Sequence, residues 1–176
     1  MINMTTHPYD ALPVPDGGKL ILTPCPGTKG MGVADAVAQL RQAGANAVIT
    51  MTPDDELARL DVTALPAAVA QAGMGWFQLP IEDDAPPGPA FEQAWAAHRD
   101  AVMSLLSQRH GIAIHCRGGS GRTGFMAALI LRETGIDGPR ADALVKRLRP
   151  NALKLPAHID YLAARDGHHA SQEQSQ

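Results

Sequence analysis

The run His115-Cys116-Arg117-Gly118-Gly119-Ser120-Gly121-Arg122-Thr123-Gly124 constrains this chain more than any other. Before it, Ile112-Ala113-Ile114-His115 is an apolar run of strand length that follows Gly111. After it, Arg122 to Thr134 carries Phe125 to Leu131 without a polar break and stops at Gly135, the pattern of a buried helix. Gly118, Gly119 and Gly121 lie between and free the backbone to turn successive N–H groups inward. A strand, a glycine turn and a helix N-terminus together form an anion site. Arg122 adds a planar fork matched to two oxygens of one phosphate. The expected phosphate-binding set is therefore Arg117, Gly118, Gly119, Ser120, Gly121 and Arg122.

The same field acts on Cys116. A free thiol titrates near about 8.5, and cationic neighbours or a helix N-terminus lower that value. A Cys116 thiolate is a nucleophile able to attack phosphorus and form a phosphocysteine, while Arg122 and the loop amides hold the equatorial oxygens. Thr123 is expected to donate its hydroxyl to the sulfur and help it leave when water resolves the intermediate. His115 is expected to orient the loop rather than carry out chemistry. The departing oxygen needs an acid. Leu79-Pro80-Ile81-Glu82-Asp83-Asp84-Ala85-Pro86-Pro87-Gly88-Pro89 offers three carboxylates in a proline-rich loop, with Asp83 the first choice and Asp84 the second. The plainer reading of that loop is a strand-to-helix connection whose aspartates cap the next helix.

His-Cys-(five residues)-Arg-Thr-Gly resembles the signature of the protein tyrosine phosphatase superfamily, and Pro80-Ile81-Glu82-Asp83 resembles the acid segment of its dual-specificity members. Val48-Ile49-Thr50-Met51-Thr52, Glu56-Leu57, Leu65 and the turn Arg147-Leu148-Arg149-Pro150-Asn151-Ala152-Leu153 are similar to the kinase-associated phosphatase branch. The likeness covers residues 20–165. It implies Cys116 as nucleophile, Arg122 as phosphate clamp and Asp83 as general acid, with no metal or other cofactor. The implied activity is hydrolysis of phosphotyrosine, phosphoserine or phosphothreonine in proteins. Departures are present too. Tyr9 and Tyr161 are the only tyrosines, so the tyrosine-bearing recognition loop of larger relatives has no counterpart. Asn151-Ala152-Leu153-Lys154 stands where a water-positioning glutamine is expected. Arg117 adds charge suited to a more anionic substrate, and a non-protein phosphate such as a phosphoinositide stays open beside a phosphoprotein. Rhodanese-like enzymes and the low-molecular-weight phosphatases fit less well, because of the acidic loop and the late position of Cys116. A phosphoprotein-binding pseudoenzyme would ordinarily lack the cysteine, the arginine or the acid.

With 176 residues the chain suits one domain, here residues 1–166, followed by a polar tail, 167–176, expected to be flexible. Its net charge of −3 lacks the basic footprint of nucleic-acid binding. No apolar stretch approaches the roughly 20 residues that span a bilayer, and the first ten residues lack a signal-peptide pattern. Cys25 and Cys116 make no disulfide framework, and a reduced catalytic thiol suits a cytoplasmic enzyme. Cys25 is a candidate partner for a reversible disulfide with Cys116 where the fold brings them together. His168-His169 read as flexible tail, His98 as a surface or partly packed helix residue, and Arg147/Arg149 as solvated helix surface with the alternative of contact to a substrate phosphoprotein.

Strand and helix patterns alternate. Strands are expected at 19–22, 47–52, 75–79 and 112–115. Helices are expected at 33–43, after Asp54 and Asp55 as caps, at 61–72, 90–108, 122–134, 139–149 and 157–165. The alternation predicts an α/β layered fold with a largely parallel central sheet flanked by helices. Cys116 and the Asp83 loop then emerge together at the carboxyl ends of the strands.

Overall fold

The computed structural model describes residues 6–174. Five strands form one sheet: β1 (Asp10–Pro13), β2 (Lys19–Thr23), β3 (Ala45–Thr50), β4 (Gly75–Gln78) and β5 (Gly111–His115). Their spatial order is β1-β2-β5-β3-β4. β2, β5, β3 and β4 run parallel, and β1 pairs antiparallel with β2. Parallel strands must be covered on both faces, and alternating side chains supply both contacts. Leu20, Leu22, Ile49, Ile112 and Ile114 pack beneath α4 (Pro89–Ser107) and α5 (Gly121–Glu133). Ile21, Val48 and Ala113 face α1 (Val33–Gln42), α2 (Asp54–Arg59) and α3 (Leu65–Gln71). Two further helices, α6 (Gly138–Leu148) and α7 (Pro156–Gln174), pack behind α5.

α5 is buried from Arg122 to Arg132, which is why its sequence is apolar on every side. Gly124 is required there, because a Cβ would collide with Ala152. Buried Arg132 closes the layer behind it, donating to Asp142 of α6 and Asp166 of α7. Glu133 ties Arg99 of α4 to Arg165 of α7 in the same way.

The structure differs from the sequence expectation at element ends. β1 was not foreseen: Asp10-Ala11-Leu12-Pro13 is too short and proline-terminated to read as a strand, and pairing with β2 creates it. Asp54 and Asp55 do not cap α2. They sit in its first turn, where their charge favours the helix dipole, and Pro53 holds the cap position. The helix expected from Asp61 begins only at Leu65, because Asp61 takes a φ of 59° and ends α2. Asp61 N–H donates to Ala58 and Val62 N–H to Leu57, the paired bonds of a helix-terminating turn. α7 continues past Arg165 through most of the expected tail, where Ala170, Gln172, Glu173 and Gln174 propagate a helix readily. Ser175 and Gln176 lie outside the described residues, as do the side chains of His168 and His169.

Candidate active site

β5 ends at His115, and Cys116 to Ser120 turn directly into α5. The loop opens onto a cleft of about 620 Å³ lined by Thr28, Lys29, Arg59, Asp83, Cys116 and Arg122, together with Arg117, Gly118, Ser120 and Gly121. Cys116 Sγ accepts the Gly119 N–H at 3.3 Å. Gly119 has a φ of 83°, and a Cβ on it would come within 2.6 Å of Pro24 backbone, so this position admits only glycine. Gly118 and Gly121 have open space around them and are not forced in that way. The N–H groups of Gly118 and Ser120 meet no acceptor among the described residues.

Arg122 is 2% exposed. Its Nη1 donates to Glu56 Oε1 and to the Ile81 carbonyl, each at 2.9 Å, and its Nη2 donates to Glu56 Oε2 at 2.8 Å. A guanidinium has five N–H groups, so these three bonds leave two free for an anion. Burial opposes the charge on Arg122, but the Glu56 hydrogen bonds and the nearby Cys116 and Asp83 outweigh it and hold the group above its ordinary value. Asp83 Oδ1 lies 3.4 Å from Nη2, with its side chain still 56% exposed to the cleft. Asp84, with a φ of 57°, is absent from this cleft and lines an adjoining pocket with Asn151, Lys154 and His158, which Asp83 and Arg122 also line. Neither aspartate caps α4, whose cap position is Gly88. Glu56 was not singled out as a functional residue. In Asp54-Asp55-Glu56 it reads as one of three acids in a first turn, and only the fold separates the buried one.

His115 is fully buried and anchors the loop from beneath. Its Nδ1 lies 3.0 Å from the Cys116 carbonyl, which can only accept, and its Nε2 lies 2.8 Å from Thr50 Oγ1. Trp76 Nε1 donates to that same hydroxyl at 2.7 Å. One assignment satisfies every member: Trp76 donates to Thr50, Thr50 to His115, and His115 to Cys116. Burial pushes the imidazole down to about 4, against the Cys116 carbonyl bond and with help from the Arg122 charge. His115 is therefore neutral, as this chain requires.

The hydrogen bond expected from Thr123 to the sulfur is not formed. Thr123 Oγ1 is buried without a partner among the described residues, and the left-handed turn at Gly119 brings that residue's N–H to Sγ instead. Cys25 is buried against the loop, its N–H donating to the Arg117 carbonyl at 3.0 Å, and both cysteines are free thiols. Burial and the neighbouring Cys116 push the Cys25 thiol up to about 12. Arg149 corrects another expectation. It is not solvated helix surface, as exposed Arg147 is, but donates to the Gly119 and Leu22 carbonyls at 2.9 Å each and to Asp10. Its side chain is held between β2 and the loop. His98 stacks at a tilt on Phe77 with ring centroids 5.3 Å apart, and Tyr9 and Tyr161 do not line the cleft.

Comparison with solved structures gives the same fold across nearly the whole chain. A kinase associated phosphatase carrying serine in place of its catalytic cysteine has a TM-score of 0.79 at 22% identity, covering 91% of this chain and 94% of that one. Human DUSP28 has a TM-score of 0.66 at 17% identity, covering 94% and 97%. PTPMT1 in complex with PI(5)P has a TM-score of 0.68 at 14% identity, covering 93% and 98%. No curated protein matches. Residues 26–136 match the family model Tc-R-P, described as "Polymorphic toxin system, DSP-PTPase phosphatase". That segment contains the Asp83 loop and the whole glycine turn, and the chain belongs to this family of cysteine-based phosphatases.

Proposed function

We propose that this phosphatase hydrolyses phosphotyrosine and phosphoserine or phosphothreonine in proteins, through a phosphocysteine on Cys116. The observation that carries the reading is the meeting of Cys116, Arg122 and Asp83 in one cleft, which Gly118, Ser120 and Gly121 of the loop also line. The Cys116 thiolate attacks phosphorus as the ester bond breaks, and Asp83 gives its proton to the departing oxygen. The two free N–H groups of Arg122, with the loop amides, hold the equatorial oxygens. Water then attacks the phosphocysteine, Asp83 takes its proton, and the sulfur leaves as thiolate. Thr123, whose buried hydroxyl has no partner among the described residues and does not bond to Sγ at rest, is the proposed donor once the sulfur leaves. The cleft mouth carries no tyrosine wall that would demand a long aromatic substrate. A free nucleophilic thiol favours a reducing, cytoplasmic setting.

A second reading is favoured by the cleft's own charge. Lys29 and Arg117 line it without an ion pair among the described residues, and Arg59 lines it while paired to Asp55. Such a rim suits a substrate with further anionic groups, as on a phosphoinositide. Turnover of a phosphotyrosine peptide, a phosphothreonine peptide and a phosphatidylinositol phosphate, measured side by side under reducing conditions, separates the two. Higher kcat/KM on either peptide supports the first reading. Hydrolysis confined to the lipid, or to its soluble headgroup, overturns it in favour of the second.

A further inference from the structure

We infer that Arg149 is a positioning residue for catalysis: it pins the Gly119 carbonyl outward and thereby aims the Ser120 N–H at the transferring phosphoryl group. The inference rests on the phosphatase reading of the cleft. Arg149 lies at the end of α6, outside the segment that matches the family model.

The geometry begins with the peptide between Gly119 and Ser120. It is trans, so its C=O and N–H point to opposite sides. Arg149 Nε donates to the Gly119 oxygen at 2.9 Å on the side of the loop that faces β2. The Ser120 N–H must then face the other side, where Ser120 lines the cleft with Cys116. A guanidinium bound to that oxygen also polarises the peptide and makes its N–H a stronger donor.

Restraint is needed here because a flip of this peptide rotates ψ of Gly119, and glycine rotates easily. A flipped peptide would turn a carbonyl oxygen toward the anion and remove a donor at once. The Gly119 N–H bond to Sγ holds the preceding peptide, and among the described residues only Arg149 bonds to the peptide that joins Gly119 to Ser120. Arg149 resists the flip because its other nitrogens are fixed: Nη2 donates to the Leu22 carbonyl at 2.9 Å and Nη1 pairs with Asp10 at 2.5 Å. Its side chain is 18% exposed. The antiparallel strand β1 thus has a task in the site, since it supplies Asp10.

The test is a double-mutant cycle of Arg149→Met and Asp10→Ala, read on para-nitrophenyl phosphate with vanadate and orthophosphate as inhibitors. Loss of one oxyanion donor costs on the order of 100-fold in kcat, so Arg149→Met is expected to lower kcat by about 10-fold to 100-fold. Vanadate, which mimics the transition state, should weaken in step, while orthophosphate inhibition and KM move less. Asp10→Ala should shift the same quantities by a smaller factor and add nothing in the Arg149→Met background. If Arg149→Met does not fold, Arg149→Lys, which keeps the charge but offers no fork, is expected to show the same vanadate-to-orthophosphate change. Folded variants with unchanged kcat and an unchanged inhibitor ratio overturn the inference while leaving the phosphatase reading intact. Loss of melting temperature without a change in that ratio also overturns it. An inactive wild type would defeat the phosphatase reading itself.

Discussion

Asp83 and Asp84 are adjacent, chemically identical and separated only by backbone. The left-handed φ of Asp84 turns the chain there, and only Asp83 lines the cleft with Cys116, although both line the adjoining pocket beside His158. Asp83→Asn is therefore expected to slow an alkyl or phenyl phosphate by about 100-fold or more, the usual worth of a positioned acid. It should slow para-nitrophenyl phosphate less, because that leaving group needs little protonation and only the part Asp83 plays in the water step is lost. Asp84→Asn should leave both rates within a few-fold, and steady-state rates on the two substrates give the ranking. The reverse ranking moves the acid by one residue. At this scale the sequence was informative where chemistry is tied to residue type. Cys116, Arg122 and Asp83 could be read from spacing and resemblance, with Asp84 left open beside Asp83. Glu56 could not, because three acids in one turn differ only in which of them the fold buries. Arg149 was misread for the same reason, since its three acceptors lie 30, 127 and 139 positions away.

The acid loop is an element held at both ends. At its entry the Ile81 N–H donates to the Met51 carbonyl, and the Ile81 carbonyl receives Arg122. At its exit His158 of α7 donates from Nε2 to the Ala85 carbonyl at 2.9 Å, with its ring against Phe125. His158→Phe keeps the packing and loses that donor. It is expected to release the loop and lower kcat by about 10-fold on poor leaving groups, with little change on para-nitrophenyl phosphate. Rates across a leaving-group series would show this as a steeper dependence on leaving-group basicity, and His158→Gln should restore part of the loss. An equal fall on every substrate would mean that His158 only stabilises the fold. The strands and helices around this loop were legible from their periodicity. Their ends were not, because turns such as the one at Asp61, and pairing such as that of β1 with β2, depend on contacts a local pattern does not contain.

For the whole molecule, the sheet places everything the chemistry uses at one edge. β3, β4 and β5 run parallel, so the Glu56 helix, the Asp83 loop and the Cys116 turn all leave from their carboxyl ends. That consequence of α/β topology was foreseeable from strand and helix alternation. Stability should carry the mark of the same construction. Burial lowers His115 to about 4 from 6.5, and burial also lowers His7 and His158. These groups take up protons more readily unfolded than folded between those values. Stability is therefore full above pH 6.5 and falls as the pH drops toward about 4, by roughly 3 kcal/mol for His115 alone. Thermal or urea melts across that interval check it, and an unchanged midpoint would mean that His115 is not buried as a neutral ring. The proposed chemistry stands on the sulfur of Cys116. Its most direct test is hydrolysis of para-nitrophenyl phosphate by wild type and Cys116→Ser, with reductant and a metal chelator present. Turnover by wild type, abolished in a folded Cys116→Ser that still binds vanadate, is the predicted result. Turnover that survives the substitution, or a folded wild type without turnover, would contradict it.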